Sequence, residues 1–257
     1  ISLTMVSVAY LKLLDHLIDE GQTLKVHIKL DTGMHRIGLM SKEELSTLLR
    51  LVNPDKFNVE GIFTHFATAD GDDVAFEKQR SLFYEMVGNC KFKYIHCCNS
   101  AAMTYHRDEK SNMGRLGITM YGCSPNGEEE TKFKQVMSLY TKVAMIKKIP
   151  AGDKVGYGLT YTAKEDEYIA TLPIGYADGF IRKNQGRKVY INGKYYEIVG
   201  RVCMDQMMVR VDENVKIGDQ VEIFGEHISL ESMAKDLDTI SYEVLCLISK
   251  RVPRVYV

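Results

Sequence analysis

The spacing of β-prone and helical runs changes midway along the chain, and this constrains the fold more than any other feature. In the first half they alternate. Leu24–Leu30, Val59–His65, Phe92–Cys97 and Ile118–Tyr121 read as strands. Between them lie helical periodicities: Leu11, Leu14, Leu17 and Ile18 share one face, as do Phe76, Gln79, Phe83 and Met86 over Val74–Val87. Ser41-Lys42-Glu43-Glu44 has the pattern of a capping box opening a helix through Leu51, and a short helix follows Asn99. Strands that alternate with helices pack into a parallel sheet or barrel.

From about Gln135 strands follow strands. Val136–Ile146, Tyr168–Leu172, Lys188–Ile191, Tyr195–Arg201, Met207–Val211 and Gln220–Phe224 are predicted, with Asn192-Gly193 as a hairpin turn. Helices over Leu230–Leu237 and Tyr242–Lys250 close the chain. The expected architecture is α/β plus β, with a partial (β/α)₈ TIM-type barrel over residues 1–130 and a mostly β domain over 131–257. The boundary is placed near Glu130.

Composition excludes several functions. With 33 basic and 34 acidic residues the formal net charge is −1, so no bulk field favours nucleic acid or an anionic membrane. No apolar run approaches the roughly 20 residues a spanning helix needs. Six cysteines without a C-x-x-C pair read as reduced, mostly buried thiols, and hence as a cytoplasmic protein. No His/Cys cluster has metal-ligand spacing, so no metal is expected. The chain opens at Ile1 within a β-prone run, which reads as though strands before it are absent.

Polar residues gather at strand ends: Asp31 and Arg36 after one, His65 at another, Asn99 and Ser100 after a third, and Arg115 just before Leu116-Gly117. In (β/α)₈ barrels this is the catalytic face. Taken singly, each has an ordinary reading. Arg115 suits a surface ion pair, His65 a core histidine, Ser100 an N-cap, Tyr157 a strand aromatic, Tyr242 core packing and Lys29 an unmodified lysine.

Taken together and in order, the motifs resemble the alanine racemase family. They are Lys25-Val26-His27-Ile28-Lys29-Leu30-Asp31-Thr32-Gly33-Met34-His35-Arg36, Thr64-His65-Phe66-Ala67, His96-Cys97-Cys98-Asn99-Ser100, Arg115-Leu116-Gly117-Ile118, Val155-Gly156-Tyr157-Gly158, Ile174-Gly175-Tyr176-Ala177, Arg201-Val202-Cys203-Met204-Asp205 and Ile240-Ser241-Tyr242. The resemblance implies racemisation of alanine with pyridoxal 5′-phosphate, serving D-alanine supply for cell-wall peptidoglycan. Arg115 would face the pyridine nitrogen of the cofactor. Ser100 and the backbone of Gly117 and Ile118 would hold its phosphate, with Tyr242, His96 and Asn99 contributing. Tyr157 would be one base, linked through His65 to Arg115. A free phenol titrates near pH 10, so it needs cations nearby to work near neutrality.

Arg36 and the backbone near Met204 would bind the substrate carboxylate, Tyr176 would line the entrance, and Lys29 occupies the place of a carbamylated lysine. The working unit implied is a homodimer with shared active sites. The second base should be the lysine that forms a Schiff base with the cofactor. In this family it lies in a Lys-Ala-Asn-Ala-Tyr-Gly-like stretch, and none occurs in these 257 residues. The chain by itself is therefore expected to be inactive, with about three of the eight barrel strands, including the lysine-bearing first, lying outside it. Serine racemase and a non-catalytic cofactor-binding barrel are the alternatives. A metal-dependent hydrolase using His65 and His96 lacks a ligand set.

Overall fold

A computed structural model describes residues 1–106, 108–129 and 132–257. The chain divides into two compact units, Ile1–Gly117 and Ile118–Val257. Glu130, where the sequence suggested a boundary, lies outside the described residues.

The first unit alternates strand and helix: β1 (Ser2–Met5), α1 (Val8–Leu17), β2 (Leu24–Lys29), α2 (Lys42–Leu51), β3 (Phe57–Phe63), α3 (Asp73–Val87), β4 (Tyr94–His96) and α4 (Ser100–Tyr105). The four strands are parallel and lie in chain order. This is a (β/α) barrel segment, in which each helix carries the chain back to the next strand. Apolar spacing explains the helices. Leu11, Leu14 and Ile18 are buried beneath α1, but Leu17, expected on the same face, is 67% exposed because it sits well round the helix from the other three. Caps fix where helices begin: Ser7 Oγ accepts the Tyr10 N–H, and Asp72 accepts those of Val74 and Ala75. At α2 the capping box is displaced. Ser41 Oγ accepts the Glu44 N–H, but the Glu44 carboxylate accepts from Met40, one residue before the cap.

The expected strand over Ile118–Tyr121 is instead a 3₁₀ turn. Its backbone bonds locally, Gly122 N–H to Thr119 O at 3.2 Å, and no neighbouring strand among the described residues offers it a ladder.

The second unit contains β5 (Leu139–Lys142), β6 (Met145–Ile149), β7 (Lys154–Val155), β8 (Tyr161–Thr162), β9 (Glu167–Leu172), β10 (Lys188–Ile191), β11 (Lys194–Val199), β12 (Met207–Val211), β13 (Gln220–Phe224), α5 (Leu230–Leu237) and α6 (Ser241–Leu247). Seven strands form an antiparallel sheet in the order β5-β13-β10-β11-β12-β9-β6. The single strand expected over Val136–Ile146 is thus two, split at Val143-Ala144, and they sit at opposite ends of the sheet. Two residues cannot span seven strands laid flat, so the sheet curls until its ends approach. Asn192 (φ 48°) and Gly193 (φ 88°) make the expected hairpin between β10 and β11. Val189, Ile191, Ile198, Met207, Val209 and Val221 fill its core with Leu230, Met233 and Leu237 of α5.

No helix of the described residues is long and apolar enough to cross a membrane. All six cysteines are free, but only Cys97, Cys98 and Cys123 are buried; Cys90 and Cys246 are exposed and Cys203 is half-buried.

Candidate active site

Strand register builds the site in the first unit. Lys29 pairs with Phe63, and Phe63 with His96, so three neighbouring strands end in one row. Phe63 is the platform of that row. The His96 ring stacks on it at 4.7 Å between centroids, Arg115 Cζ lies 5.2 Å from its centroid, and Lys29 Nζ 5.9 Å.

Arg115 arrives from the segment after α4, anchored by its own N–H to Cys98 O at 2.9 Å. Its guanidinium donates to Thr64 O (2.8 Å), His96 O (3.0 Å), Cys97 O (3.4 Å) and His96 Nδ1 (2.7 Å), and approaches His65 Nδ1 at 3.5 Å. Every one of these acceptors is neutral. Among the described residues no carboxylate forms an ion pair with Arg115, which disposes of the surface ion-pair reading.

A guanidinium only donates, so His96 Nδ1 must accept and carry no proton. His96 Nε2 then bears the hydrogen and donates to His27 Nδ1 at 2.8 Å. Burial, aided by the Arg115 charge, pushes His96 down to about 3. Burial, then Arg115, Arg36 and Lys29, push His65 down to about 4. Both rings are therefore neutral near pH 7. The expected link from His65 to Arg115 is long, and His96 is the close partner.

Lys29 is buried and donates to Leu30 O at 2.6 Å. Burial brings its amine down to about 8; Asp31 opposes this while Arg115 and Arg36 add to it. The loop bearing Arg36 closes tightly around this strand end. Asp31 N–H donates to Leu39 O (2.8 Å) and Leu39 N–H to Lys29 O (2.9 Å). Gly38, at φ +124°, has room for no side chain: a Cβ there would lie 2.8 Å from Asp31 N.

Asn99, not Ser100, caps α4, its Oδ1 accepting from Ala102 N–H at 3.0 Å. Ser100 Oγ is turned instead to accept the Gly117 N–H at 2.8 Å.

In the second unit, Tyr157 sits in a 3₁₀ turn entered by Gly156 and is 72% exposed. It lines an open groove of about 620 Å³ with Gly156, Cys203, Met204, Asp205, Gln206 and Met208. Tyr176 is brought to the same loop: its N–H donates to Cys203 O (3.1 Å), and that of Ala177 to Met204 O (3.0 Å). Gly175 permits this approach, because a Cβ there would fall 2.3 Å from Cys203 O. Tyr242, near the start of α6, is partly exposed, and Ile118 is buried at the head of this unit. The first unit thus gathers Lys29, His65, His96, Asn99, Ser100, Arg115 and Gly117, with Arg36 close enough to act on Lys29 and His65. The second gathers Tyr157, Tyr176 and Met204.

Residues 1–125 match the family described as alanine racemase, N-terminal domain, and residues 136–256 match alanine racemase, C-terminal domain. The chain belongs to the alanine racemase family. An alanine racemase of Ligilactobacillus salivarius is 46% identical over 250 residues, covering 93% of this chain and 67% of that protein. One from Lactococcus lactis is 44% identical, covering 100% and 72%. Among solved structures, alanine racemase from E. faecalis superposes with a TM-score of 0.93 at 41% identity, covering 98% of this chain and 72% of that one. The Bacillus anthracis alanine racemase with bound L-Ala-P gives 0.91 at 38%, covering 100% and 70%.

Sequence reasoning missed Phe63, His27 and Thr64. Only the register of β2, β3 and β4 shows that Phe63 carries the row, whereas its neighbour His65 drew attention by residue type.

Proposed function

We propose that this chain works in the interconversion of L- and D-alanine with pyridoxal 5′-phosphate. The observation that carries the reading is the half-buried Arg115 guanidinium, which among the described residues bonds neutral acceptors only. A ring nitrogen placed against such a group must accept a hydrogen bond and stay unprotonated, since Arg115 has no proton to give up near neutrality.

The residues present fit the cofactor. The Gly117 N–H donates to Ser100 Oγ, so an amide and a hydroxyl from which phosphate oxygens can accept stand together, and the missing side chain at Gly117 leaves the approach open. Arg115 would meet the ring nitrogen, with Ser100, Gly117 and Ile118 at the phosphate and Tyr242, His96 and Asn99 beside it. When bound, the cofactor supplies the electron-withdrawing ring that makes the substrate's Cα–H acidic. With an unprotonated ring nitrogen that withdrawal is modest, which favours return of the proton over side reactions.

The chain's own groups bind and shuttle. Arg36 and the backbone at Met204 hold the substrate carboxylate. The Tyr157 hydroxyl takes or returns the proton on one face of Cα. Inversion needs a second base on the other face, and in this family that is the Schiff-base lysine, whose sequence setting no lysine of this chain shares. Tyr157 and Met204, exposed on one groove, and Tyr176, exposed and tied to the same loop, serve the site of a second copy of the chain, making the working unit a homodimer. Alanine is preferred to serine, because Tyr242 occupies the position where an added hydroxyl would need room.

The polypeptide expressed from its whole reading frame should bind pyridoxal phosphate and, in D₂O, place deuterium at Cα of both alanine enantiomers. A product that binds no pyridoxal phosphate refutes the reading.

A further inference from the structure

Behind the Arg115 row lies a second cluster that racemisation does not use. β4 ends at His96, and the next two residues are Cys97, fully buried, and Cys98, nearly so. The segment after α4 returns alongside β4 and is tied to it. Asn112 N–H donates to Ile95 O (3.0 Å), Ile95 N–H to Asn112 Oδ1 (2.8 Å), Asn112 Nδ2 to Lys93 O (2.9 Å) and Ser111 Oγ to Ile95 O (3.1 Å). This tie delivers the half-buried Asp108 to the sulfurs, and α3 delivers Tyr84 from the other side.

The contacts are close. Cys97 Sγ lies 2.8 Å from Asp108 Oδ2, and the Tyr84 hydroxyl donates to the same oxygen at 2.7 Å. Tyr84 Oη is 3.6 Å from Cys97 Sγ, and the two sulfurs are 3.9 Å apart. One ligand atom from each of Cys97, Cys98 and Asp108 fits within a span of 4.8 Å. We propose that Cys97, Cys98 and Asp108 bind one thiophilic divalent cation of the zinc class, with the Tyr84 hydroxyl or water as fourth partner.

Geometry and chemistry both favour a metal. Two Zn–S bonds of about 2.3 Å at a tetrahedral angle put the sulfurs roughly 3.8 Å apart, close to the separation found. A disulfide is the poorer alternative, because the Cα atoms of adjacent residues are held about 3.8 Å apart, short of the roughly 4.4 Å or more that disulfides span. Two sulfurs with one carboxylate select zinc, cadmium or cobalt over magnesium and calcium, which prefer all-oxygen sets. Binding breaks two S–H bonds, forms two S–metal bonds and releases two protons to solvent. Cys97 Sγ must also draw away from Asp108 Oδ2, to about 3.5 Å, as the ion replaces their shared hydrogen. The filled site carries one net negative charge, and Arg115, which bonds the carbonyls of both cysteines, stands beside it to offset that charge. Sequence reading found no such set because Asp108 lies ten residues beyond the sulfurs and Tyr84 thirteen before them.

The test is titration of the metal-stripped protein with Co²⁺, in a Cys90→Ser/Cys246→Ser background that removes the exposed thiols. Difference spectra report sulfur-to-cobalt charge transfer and tetrahedral ligand-field bands. One equivalent should bind, release two protons and be displaced by Zn²⁺. Cys98→Ser should at least halve the charge-transfer band, since only the Cys97 sulfur remains, and Asp108→Asn should weaken Co²⁺ binding at least tenfold. No charge-transfer band at saturating Co²⁺, or an undiminished one in Cys98→Ser, overturns the site. If Cys98→Ser does not fold, Asp108→Asn decides, and unchanged affinity there refutes the proposal.

Discussion

Lys29 offers the sharpest quantitative test. CO₂ adds only to an unprotonated amine, so carbamylation depends on how much of Lys29 is neutral. An ordinary lysine at pH 7.4 is neutral to about 0.1%, whereas an amine brought down to about 8 by burial is neutral to about 20%. The structure therefore enriches the reactive form roughly 250-fold. The neighbouring charges reinforce this. Arg36 and Arg115 disfavour a third cation at Lys29, and they favour the carbamate anion that replaces it. The assay is carbon NMR of protein equilibrated with ¹³C-bicarbonate. One carbamate resonance should appear at pH 8, absent from Lys29→Met, and should weaken as pH falls to 6.5, where the neutral fraction is about 3%. No Lys29-dependent resonance at pH 8 would refute carbamylation at Lys29.

Four further outcomes are expected, those on racemisation and KM being read on the polypeptide expressed from its whole reading frame. Tyr157→Phe should lower racemisation by roughly 10²–10⁴, with α-deuterium exchange lost from one enantiomer more than from the other; equal loss from both would argue against the assigned face. Because the folded protein holds His65 down to about 4, the unfolded chain takes up a proton that the folded one refuses between roughly pH 6.5 and 4, so denaturation midpoints should fall as pH drops through that window, and less steeply in His65→Asn. Phe83→Ala empties a fully buried position on α3 and should cost about 3–5 kcal/mol in urea denaturation. Gly175→Ala forces a methyl towards Cys203 O and should disturb the Met204 loop, raising KM for alanine while the far-ultraviolet circular dichroism stays unchanged; an unaffected KM would mean the loop absorbs the clash.

How much of this was legible beforehand depended on the range of the interactions involved. Periodicity and caps are local, so α1, α2, α3 and the hairpin at Asn192-Gly193 could be read directly, as could Lys188–Ile191, Met207–Val211, Gln220–Phe224 and Leu230–Leu237 to the residue. The ordered motifs also pointed to the family, because residue types at fixed spacing survive in sequence whatever the fold does. Pairing is not local. Ile118–Tyr121 has strand-like residues but no partner, and Val136–Ile146 reads as one run although its halves join opposite ends of a curled sheet. The same holds for the site. Sequence could nominate Arg115 and His65, but hydrogen-bond donors and acceptors are chosen by neighbours many residues away. Only the register of β2, β3 and β4 placed Lys29, Phe63 and His96 in one row, gave Arg115 its wholly neutral acceptors, and lowered the Lys29 amine by burial that no single residue encodes.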